Sequence, residues 1–232
     1  MMFPVFDPLY YLFALPALAL GLYAQYKVRS AYAKYARVAN RGRMAGIEVA
    51  QRLLQLNGLG NVGIDETRGQ LSDHYDPRSK RLRLSAGVAR GASVASMGIV
   101  AHEIGHAVQD SAGYGPLKLR SGLVPVVRIG SYLGPIVFLA GMFLPIPNLS
   151  LVGLILFSGT LVFSLVTLPV EFDASRRAVA MLDRSGMISP MERKGVQAVL
   201  RAAALTYVAA AIQSLSTILY YVFRLSGSRR RS

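Results

Sequence analysis

The chain has 232 residues, no cysteine and a formal charge of +14; 53% of its residues are apolar. These values exclude a disulfide scaffold and any thiolate metal site, and they argue against a simple soluble globule. An excess of positive charge marks nucleic-acid binders and also membrane proteins whose loops face anionic lipid, so its placement along the chain decides between them.

In chain order, residues 8–26 carry no charge and are long enough for a membrane span, which needs roughly 20 residues. The flank MMFPVFD has no basic residue, so this stretch reads as an uncleaved anchor rather than a signal peptide. Residues 30–57 read as one helix, with Val49, Leu53, Leu54 and Leu56 near helical spacing and NGLG as its stop. QLSDHY, the turn DPRS and the alternating KRLRLS read as a β-hairpin, with Leu82 and Leu84 on one face and Arg81 and Arg83 on the other. A helix is expected from about Ser93, its N-cap, to Asp110, ended by GYG. Residues 122–144 form a second apolar stretch containing only Arg128, which is expected to snorkel to the interface. Residues 149–170 and 202–223 are uncharged and complete four spans.

Fifteen Lys or Arg lie in 27–121 and six in 171–201, whereas the connection PIPN, 145–148, has none. The positive-inside rule therefore places 27–121 and 171–201 on the cytoplasmic side. The basic tail RLSGSRRRS runs against that rule if the last stretch crosses. Because the charges flank apolar spans and no aromatic-basic motif appears, nucleic acid is not expected as a partner. The expected organisation is an anchor, 1–26; a soluble part, 27–121; a membrane hairpin, 122–170; a second soluble helical part, 171–201; and a membrane helix with a basic tail, 202–232.

The chemistry is concentrated in HEIGH, residues 102–106. Residues four apart share a helix face, so His102 and His106 can address one metal ion. Glu103 projects about 100° round the helix, within reach of a zinc-activated water, as general base. Gly105 permits close approach of another backbone or substrate, while Ile104 and Val108 face the core. With three histidines and five glutamates in the chain, HExxH arises by chance in about one chain in a thousand, so the motif is a strong signal.

A catalytic zinc needs a third protein ligand. No histidine stands at 112, which is Ala112. The remaining candidates are His74, Glu48, Glu66, Glu171 and Glu192. Glu171 is the best placed, because it opens EFDASRRAVAMLD directly after the third apolar stretch. Asp173 or Ser175 could then orient a ligand histidine, and Arg176 or Arg177 could instead pair with Glu171. LSDHYDP supplies His74 and Tyr75 as candidate oxyanion stabilisers, with a strand edge suited to an extended peptide; its plainer role is a turn built by Asp73, Asp76 and Pro77.

LSDHYDPRSKRLRLS, AHEIGHAVQD and PVEFDASRRA, with the anchor and later spans, resemble the YugP-type neutral zinc metallopeptidases of bacteria over about residues 8–223. The chain is also distantly similar to the HtpX-type membrane proteases, whose third-ligand motif is ExxxD; Ser175 stands here where Asp is usual. The resemblance implies a mainly α, multi-span membrane helical protein with a zincin-like, gluzincin-type metallopeptidase domain containing a short β-hairpin. It implies Zn2+ held by His102, His106 and Glu171, with Glu103 as catalytic base and peptides or membrane proteins as substrates. A bacterial cytoplasmic membrane, an active site on its cytoplasmic side and membrane-protein quality control follow as expectations. The competing expectation is a non-proteolytic membrane scaffold with a structural zinc.

Overall fold

A computed structural model describes residues 7–144 and 146–229. The elements run α1 (Pro8–Tyr35), α2 (Gly46–Leu56), β1 (Gly63–Thr67), β2 (His74–Asp76), β3 (Arg81–Ser85), α3 (Ala86–Arg90), α4 (Val94–Ser111), α5 (Gly115–Phe143), α6 (Leu149–Arg184) and α7 (Pro190–Arg229). The protein is mainly helical, with one small sheet.

Two compact units divide the chain. The first takes the described parts of Met1–Ala24, Leu119–Leu168 and Thr206–Ser232. The helices that supply it, α1, α5, α6 and α7, are long and apolar enough to cross a membrane. Inside this unit α5 and α6 approach through small residues. A Cβ on Gly130 would lie 2.5 Å from the Leu156 carbonyl, and one on Gly153 2.2 Å from Phe138 N. Such close backbone approach is how helices associate where no water drives them together. Phe138 stacks on Tyr221 with centroids 3.8 Å apart. Asp7 accepts from Leu9 N at the start of α1 (3.1 Å) and from the Tyr220 hydroxyl (3.1 Å). Arg224 lies 3.2 Å from the same carboxylate. The start of α1 and the end of α7 are therefore neighbours within this unit, and Arg224, the first charge of the basic tail, has an acidic partner.

The second unit comprises Gln25–Lys118 and Pro169–Leu205. At its centre is α4, buried on almost every side from Val94 to Gln109, as an apolar helix in the middle of a core must be. Val49, Leu53, Leu82, Leu84, Val100, Ile104, Leu182 and Val196 belong to the same cluster. The sheet order is β1-β3-β2, with β1 parallel and β2 antiparallel to β3. Tyr75 pairs with Leu82 in the expected hairpin. Leu82 and Leu84 are buried and Arg81 is exposed, as the alternation requires. Ser93 caps α4 by accepting from Ser96 N at 3.1 Å.

Residues 30–57 are not one helix. The first helix carries on to Tyr35, and a break over 36–45 precedes α2. The backbone there has other partners: Val94 N donates to the Val38 carbonyl (2.9 Å) and Asn40 N to the Ala92 carbonyl (3.0 Å). The buried Asn40 side chain bonds both Met44 N and Met44 O, and Arg43 has φ +47°. These tertiary bonds outweigh the modest helix propensity of the segment. Leu56, assigned to the apolar stripe of that helix, is exposed. β1 and α3 were not expected; GIDET has little apolar alternation to announce a strand.

Candidate metal centre

Both histidines come from α4 and the carboxylate from α6. The His102 Nε2–Glu171 Oε2 distance is 3.2 Å and the His106 Nε2–Glu171 Oε2 distance 3.6 Å. One ligand atom from each of the three residues lies within 4.8 Å of the others. Tetrahedral zinc with ligand bonds of about 2.0–2.1 Å sets its ligand atoms about 3.3 Å apart, so the donor set fits that ion in spacing and in chemistry. The His102 and His106 side chains are 13% and 10% exposed and that of Glu171 2%, so the carboxylate is the most deeply buried of the three.

Gly105 explains the proximity of the two helices. A Cβ there would stand 2.6 Å from the Ala174 carbonyl oxygen, so only glycine lets α6 approach between the histidines. Gly105→Val is expected to destabilise the protein by about 1–3 kcal/mol, read as a lower melting temperature, and to weaken zinc binding by displacing Glu171. An unchanged melting temperature and zinc affinity would contradict this packing. Gly113, with φ +65°, then ends α4: Gly113 N donates to the Asp110 carbonyl and Tyr114 N to the Gln109 carbonyl, the paired bonds of a left-handed cap.

Both histidines are held at their other ring nitrogen. His102 Nδ1 is 3.2 Å from Ser175 Oγ, and His106 Nδ1 is 3.0 Å from Gln109 Oε1. Ser175, at the position where the ExxxD pattern has aspartate, contacts His102. Asp173 reaches the other histidine indirectly, by accepting from Gln109 Nε2 at 2.9 Å. Arg176 and Arg177 both pair with Asp173.

Glu103 is half-buried, and its Oε2 accepts from Tyr75 N at 3.0 Å. Burial pushes its carboxyl above the ordinary glutamate value, and the nearby Glu171 charge adds to this; the two histidines oppose it without cancelling it. Glu171 lies beyond the apolar stretch 149–170. Burial would raise its carboxyl, but bonds from His102 and His106 outweigh that and hold it well below the usual range. For His106, burial disfavours the cation, yet Glu171 and Glu103 more than compensate and its pKa is raised.

Tyr75 and His74 are neighbours in β2, so their side chains face opposite sides of the strand. The Tyr75 hydroxyl donates to Asp110 Oδ2 at 2.7 Å, turning that residue toward α4. His74 is exposed, with Nδ1 2.8 Å from the Ser72 carbonyl and Nε2 3.4 Å from Arg83. Among the alternative carboxylates, Glu48 bonds Ala45 N, Glu66 pairs with Arg90, and Glu192 bonds Arg41 N and Ser189 N. Gln109 was missed by sequence reading, although it stands three residues after His106 on the helix face that carries both histidines.

The family described as "Putative neutral zinc metallopeptidase" matches residues 10–226. The chain belongs to this zinc metallopeptidase family. The curated relative "Putative membrane protease YugP" of Bacillus subtilis (strain 168) is 45% identical over 214 residues, covering 92% of this chain and 95% of the relative. No solved structure gives a significant match. Family membership makes zinc the cofactor, and the three-residue cluster is suited to hold it. With four apolar helices and a membrane-protease relative, the chain is an integral membrane protein.

Proposed function

We propose that the chain is a zinc-dependent peptidase that hydrolyses peptide bonds, with His102, His106 and Glu171 as metal ligands and Glu103 as general base. The observation that carries this reading is the convergence of the HEIGH imidazoles on Glu171 at 3.2 and 3.6 Å, beside a carboxylate that takes no place in the cluster. Zinc, when bound, supplies a Lewis acid that lowers the pKa of a water and polarises the scissile carbonyl. Glu103 takes the proton from the attacking water and returns it to the leaving amine. Its carboxyl, pushed by burial above the ordinary glutamate value, holds a proton more readily than an exposed glutamate does, which favours the return step. Tyr75 contributes by orienting Glu103 through its backbone N–H. β2 lies at the edge of the sheet, which suits an extended peptide pairing beside α4. Peptides and membrane proteins are the substrates proposed, and removal of damaged membrane proteins is the role that fits a site tethered to four spans.

Purified protein in detergent is expected to cleave an unstructured peptide, to lose that activity on chelation and to recover it with added zinc. Zinc-loaded protein that cleaves no peptide from a diverse library would favour a scaffold with a structural zinc.

We also infer from the charge distribution that the site faces the cytoplasm. The absence of native cysteine makes this testable with single cysteines. Ile146→Cys is expected to react with an impermeant thiol reagent added to intact spheroplasts, and Arg78→Cys only after lysis. The reverse pattern would overturn the orientation.

A further inference from the structure

Gln109 has no role in the hydrolysis described above, yet its side chain is the most constrained polar group of α4. It is 0% exposed, and a buried amide must satisfy both its donor and its acceptor end. Nε2 lies 2.8 Å from the Val170 carbonyl oxygen and 2.9 Å from Asp173 Oδ2. A carbonyl and a carboxylate only accept, so the amino end must face them. The opposite orientation would bring three acceptors together with no proton between them. The amide oxygen is thereby directed at His106 Nδ1, 3.0 Å away. An amide oxygen only accepts, so Nδ1 must carry the proton. That leaves Nε2, the nitrogen 3.6 Å from Glu171 Oε2, with the lone pair that a metal needs. Asp173 is itself anchored by Arg176 and Arg177. A chain of bonds thus runs from two arginines through one carboxylate and one amide to a single ring nitrogen.

We propose that Gln109 is a positioning residue that fixes the tautomer and ring plane of His106 so that Nε2 faces the zinc, with Asp173 setting the direction of the amide. The proposal rests on the zinc-site reading. It assigns the two ligand histidines separate supports: Ser175 for His102, and the Gln109–Asp173 relay for His106. A residue that merely filled space would be replaceable by methionine, which has the same length and no hydrogen-bonding amide.

Two measurements test it. In zinc-loaded, 15N-histidine-labelled wild-type protein, long-range 1H–15N correlation spectra are expected to show His106 protonated at Nδ1 and bound through Nε2; with three histidines in the chain, assignment needs only single substitutions. By competition with a chelator, Gln109→Met is expected to bind zinc about 10–100-fold more weakly than wild type. Binding through Nδ1 of His106, or zinc affinity of a folded Gln109→Met within twofold of wild type, would overturn the relay while the zinc site stood. Should Gln109→Met fail to fold, the wild-type spectrum still decides. Wild-type protein that held no zinc would remove the site reading itself, a separate outcome.

Discussion

Glu103→Gln is expected to lower kcat/KM for peptide hydrolysis by about 10²–10⁴-fold, the usual contribution of a positioned acid–base group, with one zinc still bound. Glutamine keeps the length of the side chain and an oxygen to accept from Tyr75 N, the bond that Glu103 Oε2 makes at 3.0 Å. It loses the ability to take and return a proton. Zinc retention follows because, among the described residues, the clustered donors are His102, His106 and Glu171 and do not include Glu103. The same substitution has an opposite effect on stability. Burial raises the Glu103 pKa in the folded chain, so the unfolded chain gives up this proton first, and stability due to this group is lost as pH rises through the folded value. Metal-free Glu103→Gln is therefore expected to melt higher than metal-free wild type at alkaline pH, with the difference shrinking on acidification. Hydrolysis within a few-fold of wild type would remove Glu103 from the chemistry.

Glu171→Ala is expected to weaken zinc binding by more than about 100-fold, since even the loss of a residue that only supports a ligand costs about 10–100-fold. Glu171 is almost fully buried beside both imidazoles, and among the described residues it is the carboxylate that clusters with them. Glu48, Glu66 and Glu192 are each engaged elsewhere. Zinc at about 100 times its Kd stabilises a folded protein by about 2.7 kcal/mol. Added zinc should accordingly raise the melting temperature of wild type and leave that of Glu171→Ala unchanged. Equal zinc stabilisation of the two proteins would exclude Glu171 as a ligand.

Much of this site was legible because its chemistry is local. HEIGH needs only helical spacing, and Glu171 could be singled out because the chain offers so few carboxylates. Gly105 was legible for the same reason: a glycine between the two histidines implies a close neighbour, which proved to be the Ala174 backbone. What escaped depends on partners far apart in sequence. The break after Tyr35 is set by pairing with residues 92–94, more than fifty positions on. β1 has one apolar residue facing inward, Ile64, and is defined by its ladder with β3. Gln109 belongs to no motif, and its partners Val170 and Asp173 lie on another helix. The place of Ser175 illustrates the converse. As a departure from ExxxD it looked like a weakened support for a ligand, yet it contacts His102, while the carboxylate two positions earlier serves His106.

Two imidazoles from α4 and one carboxylate from α6 are expected to hold a single zinc. The zinc K-edge absorption spectrum of the purified, zinc-loaded protein tests this most directly. Four light ligands are expected, with two imidazole nitrogens at about 2.0–2.1 Å and oxygens from a carboxylate and a water at about 2.0–2.2 Å. In Glu171→Ala supplied with excess zinc, the two-imidazole, single-carboxylate pattern should be lost. A wild-type spectrum with fewer than two imidazoles, or one unchanged by that substitution, would contradict it.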